Sequence, residues 1–243
     1  RLLDTKWLQG LQEKVLKLVD APRLHPDSKL NWSAYKVTLL EPAQLARFDR
    51  QRYTADNSVL LLQDAFTRHF DTPVWTAWLR LLEKLQVHVF VLPLQANGKP
   101  LQVHGFLGQF QRLVEKNTAW LQAAAQTGLP LVGLDPAMTL VYRQEFPKAL
   151  GVRELPFEVL LPQEWLAQHL PDVAAPSKQP SASYYLAGHC TEKTNAPQAT
   201  AQWQQIFQHF GLQLHTLATG CCGMSSTYGH EAEHRATSAT IYA

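Results

Sequence analysis

The chain has 243 residues, of which 46% are hydrophobic and 17% charged, and its formal net charge is +2. This composition is typical of a folded globular protein with one large core or two smaller ones. The small net charge argues against nucleic acid as a partner, and no apolar run approaches the about 20 residues that cross a bilayer. The three cysteines are too few for a disulfide framework and favour a reducing compartment, so we expect a cytoplasmic protein.

The first part of the chain alternates between helical and strand patterns. Apolar residues recur at helical spacing over 1–20, so we assign 1–50 to an amphipathic helix and a linker. The later segments predict three strands, in "SVLLLQD", "VHVFVLPL" and "GLPLVGLD". They also predict a helix in "TPVWTAWLRLLEKL" with Thr72 as its cap, a helix from about Phe106 to Gln126, and a helix in "PAMTLVYRQEFPKAL" that starts on Pro136, with Pro147 as a candidate end-stop. This alternation predicts an α/β fold with mostly parallel sheets flanked by helices.

A segment rich in Pro, Ser and Ala, 171–182, lacks apolar periodicity and is typical of a linker. After it the same order of elements begins again. "SYYLAGH" predicts a strand, "APQATAQWQQIFQHF" a helix with Asn195 as its N-cap, and "LQLHTLA" a strand that runs into Cys221.

The two halves align without a gap at a constant offset of 125 residues. The aligned positions include these pairs: Ser58 and Ser183, Trp78 and Trp203, Gly98 and Gly223, Ala65 and Cys190, Ala96 and Cys221, Asn97 and Cys222. This register predicts two duplicated units, 51–170 and 183–243, of which only the second retains thiols.

The three cysteines all lie in the second unit. Cys190 follows one predicted strand, and Cys221 and Cys222 follow the next. Because ligands collect at the carboxyl edge of an α/β sheet, we expect the three sulfurs to converge. Thiolates suit iron–sulfur clusters and zinc, and Gly223 would leave room for a cofactor while its amide donates to sulfur. The predicted cofactor site is therefore Cys190, Cys221, Cys222 and Gly223.

Other interpretations of these residues stay open. The cysteines could be small buried hydrophobic residues, with a vicinal disulfide on oxidation. Nearby side chains could complete a zinc site, although no zinc-finger spacing is present; they are His189, Glu192, His215, His230 and His234. A thiol enzyme is disfavoured, because His189 and Cys190 would point to opposite faces of a strand. Arg143 and Glu145 could bind a carboxylate, but a helix surface is the simpler interpretation.

A resemblance to a known family rests on several of these stretches. "GHCTEK", followed by "GCCG" and then by Gly229, resembles the CCG cysteine-rich domain of heterodisulfide reductases and glycolate-oxidase iron–sulfur subunits. "QDAFTRHFD", "GKPLQVHGFLG", "GLDPAMTLVYRQEFP" and "GHCTEKTNAPQAT" are similar to the carboxyl-terminal part of large bacterial FAD-linked oxidases of the D-2-hydroxyglutarate dehydrogenase type. The likeness covers about 58–243.

The resemblance implies a function and a ligand set. Cys190, Cys221 and Cys222 would bind an iron–sulfur cluster, or zinc, with His189 and His230 as further candidates. Ala65, Ala96 and Asn97 would mark the first unit as degenerate, together with Ala137 and Met138 in "DPAMT". A further family cysteine lies beyond residue 243, so the second unit is expected to be truncated here.

Two functional hypotheses follow from the resemblance. In the first, the chain is the cluster-binding electron-transfer region of an FAD- and iron–sulfur-dependent 2-hydroxy acid dehydrogenase. Its partners are then the FAD-binding and ferredoxin-like domains of the same parent chain, in the cytoplasm or peripheral to the inner membrane. In the second, it is a structural or interaction domain of that oxidase with a vestigial or zinc-binding site. Either way, we expect no activity from this fragment alone.

Overall fold

The computed structural model describes residues 32–170, 173, 182–225, 228–230 and 232–242. The chain divides into two compact units. The larger spans 27–218, and the other includes 219–243. The predicted helix over 1–20 and nearly all of the predicted linker 171–182 lie outside the described residues. The predicted boundaries 1–50, 51–170 and 183–243 stay predictions, although the structural division falls within the last of these ranges.

The larger unit is built on a five-stranded parallel sheet, which confirms the predicted α/β fold. Its strands run in the order β1-β3-β2-β4-β5. Their bounds are β1 Val37–Leu39, β2 Ser58–Leu62, β3 His88–Val91, β4 Leu131–Gly133 and β5 Val159–Leu160. Chain order along the sheet reverses between β2 and β4, which makes this the topological switch point of the fold.

Helices cover both faces of this sheet. They are α1 Pro42–Leu45, α2 Ala65–His69, α3 Thr72–Lys84, α4 Lys99–Val103, α5 Leu107–Ala125, α6 Pro136–Leu150 and α7 Pro162–His169. Alternate residues of β2 enter opposite cores: Leu60 packs with Phe110 and Phe146, and Leu61 packs with Trp75. Because both faces are covered, all of β2 is buried, and its sequence is an unbroken apolar run rather than an alternating one.

A second, two-stranded parallel sheet follows in the larger unit. It comprises β6 Ser183–Leu186 and β7 Gln213–Thr216, which are joined through α8 Cys190–Asn195 and α9 Ala199–His209. The described part of the smaller unit holds two short 3-10 helices, Tyr228–His230 and Ala232–His234, and the helix α10 Arg235–Tyr242.

Several backbone features recur at the offset of 125 residues on which the predicted duplication rests. Ser58 pairs with His88 in the first predicted duplicated unit, 51–170, as Ser183 pairs with Gln213 in the second, 183–243. The Leu92 amide donates to the Leu61 carbonyl over 3.0 Å, and the equivalent Leu217 amide donates to the Leu186 carbonyl over 2.9 Å. The helices α2 and α8 start at the equivalent residues Ala65 and Cys190. The repeat therefore extends to strand register and helix starts.

Three predicted helix boundaries are wrong. The helix predicted in "PAMTLVYRQEFPKAL" is confirmed as α6, but the candidate end-stop at Pro147 is wrong, because α6 continues to Leu150 with Pro147 buried. Asn195 does not cap α9; it ends the separate helix α8, and its side-chain amide donates to the Thr191 carbonyl over 3.1 Å. Thr72 is the first residue of α3 rather than its cap, which is Asp71.

Candidate metal centre

Cys190 is the first residue of α8 and is exposed. The preceding residue, His189, is the N-cap, and its Nδ1 accepts the Thr191 backbone N–H over 3.2 Å. Burial lowers the pKa of His189, which agrees with a neutral ring whose Nδ1 lone pair is occupied. The sequence pattern placed His189 and Cys190 on a strand. This is wrong, because β6 ends at Leu186. Nδ1 of His189 is nevertheless not available to take a proton from the Cys190 thiol, because it already accepts the Thr191 N–H.

Cys221 and Cys222 lie in the smaller unit, where both thiols are free and exposed. The Gly223 backbone N–H donates to the Cys221 sulfur over 3.4 Å. This is the amide–sulfur hydrogen bond expected from the sequence. Such bonds stabilise negative charge on sulfur and tune thiolate ligands.

Gly223 is constrained by its backbone conformation and by its neighbours in the smaller unit. Its φ is +74°, in the left-handed region, and a Cβ there would lie 2.9 Å from the Ser238 hydroxyl and overlap the Ser238 carbonyl oxygen. The space beside this glycine is therefore filled by α10 of the same unit rather than kept free for a cofactor. Its role in cofactor binding stays a prediction.

The other candidate ligands have structural contacts of their own. His215 stacks on Tyr185 with ring centroids 5.3 Å apart, and His234 stacks on Tyr228 at 3.9 Å. Glu192 is buried and accepts a hydrogen bond from Gln163. The backbone of His230 ends a 3-10 helix, and its side chain is outside the description.

The described residues contain no group of three or more His, Cys, Asp or Glu side chains arranged to hold a metal ion. Cys190 belongs to the larger unit, and Cys221 and Cys222 belong to the smaller one. The convergence of the three sulfurs therefore stays a prediction.

In the first unit, the positions equivalent to the cysteines make polar contacts of another kind. Asn97 is buried; its Nδ2 donates to the Met138 carbonyl over 3.0 Å, and its Oδ1 accepts the Lys99 N–H over 3.0 Å. The Asn117 amide donates to the Ala96 carbonyl over 2.7 Å. The structure thus brings together Asn97 and Met138, two of the positions that the sequence marked as degenerate.

Two carboxyl groups at the same sheet edge were missed from the sequence. Asp64 follows β2 and caps α2, and Asp135 follows β4 and caps α6. Burial raises the pKa of Asp64 to about 6, against hydrogen bonds from Thr67, and burial also raises the pKa of Asp135. Burial likewise raises the pKa of Tyr142, and the charge on Asp64 adds to this effect. An Asp directly before each helix was a readable N-cap signal.

Arg143 and Glu145 are each bonded to residues of other elements. Arg143 donates to Glu164 from both terminal nitrogens, one of them over 2.9 Å, and its Nε donates to the Val159 carbonyl. Glu145 pairs instead with Lys99. Both residues tie α6 to its neighbours, in agreement with the simpler interpretation.

The comparisons with known proteins confirm the resemblance to D-2-hydroxyglutarate dehydrogenases. The chain is 46% identical to the D-2-hydroxyglutarate dehydrogenase of Pseudomonas putida over 99% of its length, which is 24% of that relative. It is 40% identical to the Escherichia coli protein of the same name, over 97% of this chain and 23% of the relative. It is also 27% identical, over 59% of its length, to one of the subunits of the anaerobic glycerol-3-phosphate dehydrogenase of E. coli, of which it covers 37%.

The chain therefore spans about a quarter of the length of the D-2-hydroxyglutarate dehydrogenases that it matches. No protein-family model and no solved structure matches it. No helix within the described part of the chain is long and apolar enough to cross a membrane. The assignment of the cysteine motif to the CCG type stays a prediction.

Proposed function

We propose that this chain is the cysteine-rich electron-transfer region of a larger FAD- and iron–sulfur-dependent dehydrogenase of D-2-hydroxy acids. The observation that carries the proposal is the similarity of 99% of the chain to D-2-hydroxyglutarate dehydrogenases. The FAD-binding and ferredoxin-like domains lie elsewhere in the same polypeptide and are its partners. The protein works in the cytoplasm, with a peripheral contact to the inner membrane as the second possibility.

The role of this chain is to bind an iron–sulfur cluster. Cys190, Cys221 and Cys222 supply thiolates to an iron–sulfur cluster, and their free, exposed sulfurs suit that role. The hydrogen bond from the Gly223 backbone N–H to the Cys221 sulfur supports this role, because it favours the thiolate form of Cys221. His189 and His230 are the further candidates. While Nδ1 of His189 accepts the Thr191 N–H, the neutral ring carries its proton on Nε2, so ligation by His189 would require that hydrogen bond to break or the Nε2 proton to leave.

Iron and acid-labile sulfide in the full-length protein, purified without oxygen, test this proposal. We expect iron and sulfide beyond the content of the ferredoxin-like domain, and we expect the excess to disappear when all three cysteines are replaced by serine. An iron and sulfide content that is unchanged in that triple variant would refute the ligation.

A structural or interaction domain with a zinc or vestigial site is the second candidate. The first unit favours it, because buried Asn97 donates a hydrogen bond to the Met138 carbonyl at positions that carry no thiol. Zinc, with no iron beyond the content of the ferredoxin-like domain, together with unchanged electron transfer after cysteine replacement, would select this candidate.

A further inference from the structure

Glu192, in the short helix α8, is a carboxyl buried between the two duplicated units. It is 6% exposed, and its Oε1 accepts a hydrogen bond of 2.7 Å from Nε2 of Gln163, which is 1% exposed. It also accepts a side-chain hydrogen bond from Trp203. Gln163 lies on α7 of the first unit, so one carboxyl group connects α8 to α7 and α9.

The same carboxyl fixes the turn that leads to Cys190. Glu192 accepts the backbone N–H of His189, while the His189 ring accepts the N–H of Thr191. Together these two bonds hold the backbone at the start of α8. Cys190 follows His189 directly, so the backbone on its amino side is held by the residue that binds Gln163.

The connection between units is specific to the cysteine-bearing repeat. The position equivalent to Glu192 in the first unit is Thr67, which bonds within its own unit to Asp64 and Trp75. Apolar contact also joins the two repeats, in a small buried cluster formed by Leu140, Leu161, Ala196 and Ala199. An apolar pair would fill such an interface without the desolvation cost of a buried carboxylate, so the polar pair contributes geometry rather than stability.

From these contacts we infer that Gln163 and Glu192 are positioning residues that clamp α8 to the first unit and so set the place of Cys190. The inference rests on the proposed function, because it assigns Cys190 the role of a ligand. It also assigns a function to the first unit, which carries no thiol: it holds the helix α8, on which Cys190 lies.

The test uses the full-length protein and a swap of donor and acceptor. Gln163→Glu places a second carboxylate beside Glu192 and removes the donor. The double variant Gln163→Glu/Glu192→Gln restores one donor and one acceptor across the pair. Gln204→Glu, at an exposed position of α9, adds the same charge away from the clamp and is the control. The readouts are amide hydrogen exchange of α8 and the electron paramagnetic resonance spectrum of the reduced protein.

We expect Gln163→Glu to speed exchange in α8 by about tenfold or more while β2 is unchanged, since the loss is local. We also expect it to shift the spectrum of the centre that is lost in Cys190→Ser. The double variant should return both readouts towards wild type. The inference is overturned if α8 exchanges as in Gln204→Glu, if the swap gives no rescue, or if α8 loosens while that spectrum stays unchanged.

The two proposals fail in different ways. If Cys190→Ser leaves the spectrum and the iron content unchanged, the proposed ligation is wrong. In that case the exchange of α8 in Gln163→Glu and in the swap still supports or overturns the clamp itself.

Discussion

At the scale of single residues, Gly223 combines a backbone and a packing constraint. Its φ of +74° is unfavourable for other residues, and Ser238 occupies the place of any Cβ. Nearby Gly220 has no atom within 4 Å of a Cβ and no such φ. The two glycines on either side of the adjacent cysteines can therefore be compared directly, with Gly220 as the control for Gly223.

Gly223→Ala should destabilise the local fold of the smaller unit by more than about 1 kcal/mol, because the strain of the positive φ adds to the overlap with Ser238. Gly220→Ala should stay within about 0.5 kcal/mol of wild type. The rate of proteolysis in 219–243 measures the difference. Equal rates in the two variants would contradict this account of Gly223.

Cys222→Ser in the full-length protein should lower bound iron and slow electron transfer to an external acceptor. Reduction of FAD by substrate should continue, because that step precedes the proposed role of this region. Ala218→Ser, which adds a hydroxyl at an exposed position, is the control. Iron analysis and stopped-flow flavin absorbance provide the measurements. If iron and turnover both stay at wild-type values, Cys222 is not a ligand.

Asp64 should make stability depend on pH in the acidic range. Burial raises its pKa from the ordinary 3.8 to about 6, so the folded state holds the proton more tightly than the unfolded state. This contribution is fully present below about pH 4 and is lost as the pH rises to about 6; it amounts to on the order of 2 to 3 kcal/mol.

Asp64→Asn keeps an N-cap acceptor but has no titrating proton, so the decline in the free energy of unfolding between pH 4 and pH 6 should shrink. Urea unfolding at several pH values measures this decline. Asp56→Asn, at an exposed position, is the control for the lost charge. A variant whose pH profile parallels that of wild type would show that the Asp64 carboxyl does not cause the decline.

At the scale of elements, the duplicated strands β2 and β6 occupy different environments. β2 pairs on both edges and is covered on both faces, whereas β6 pairs only with β7 among the described strands. Leu60 is therefore 0% exposed, and its equivalent Tyr185 is 66% exposed. Two positions related by the 125-residue offset thus differ in burial because of their neighbours.

Leu60→Ala should lower the free energy of unfolding by about 2 to 5 kcal/mol, since it leaves a cavity between packed layers. Tyr185→Ala should cost less than about 1 kcal/mol, because its main described contact is the stack on His215. Urea denaturation of the two variants makes the comparison. Similar losses at both positions would mean that β6 is covered as fully as β2.

At the scale of the whole molecule, the larger unit has a core that continues across the repeat. Ile206 of α9 is buried in the same apolar cluster as Trp165 and Leu166 of α7 and Leu61 of β2. The second repeat is therefore packed on the first by apolar contacts as well as by the pair of Gln163 and Glu192. A single cooperative unfolding transition is expected over 27–218.

Ile206→Ala should cost about 2 to 4 kcal/mol and should reduce the protection of β2 and β7 from hydrogen exchange by the same factor. Val74→Ala, at an exposed position on α3, is the control. Loss of protection confined to β7 would show instead that the second repeat unfolds by itself.

The sequence by itself indicated the strands β2, β3, β4, β6 and β7 and the long helices, because each depends on local periodicity that burial on one or two faces imposes. It missed β1 and β5, which are only three and two residues long and carry too little pattern to be recognised. Apolar runs such as that of β2 and the offset between Ala65 and Cys190 are properties of the chain alone. The candidate thiols were also readable, since their residue type and spacing carry the chemistry.

Only the tertiary structure decided which residues of distant segments are in contact. The helix boundary at Pro147, the start of α8 at Cys190 and the overlap of Gly223 with Ser238 depend on packing between elements far apart in sequence. So do the raised pKa of Asp64 and the bond between Gln163 and Glu192, because desolvation and hydrogen bonding arise from three-dimensional neighbours that no local pattern encodes.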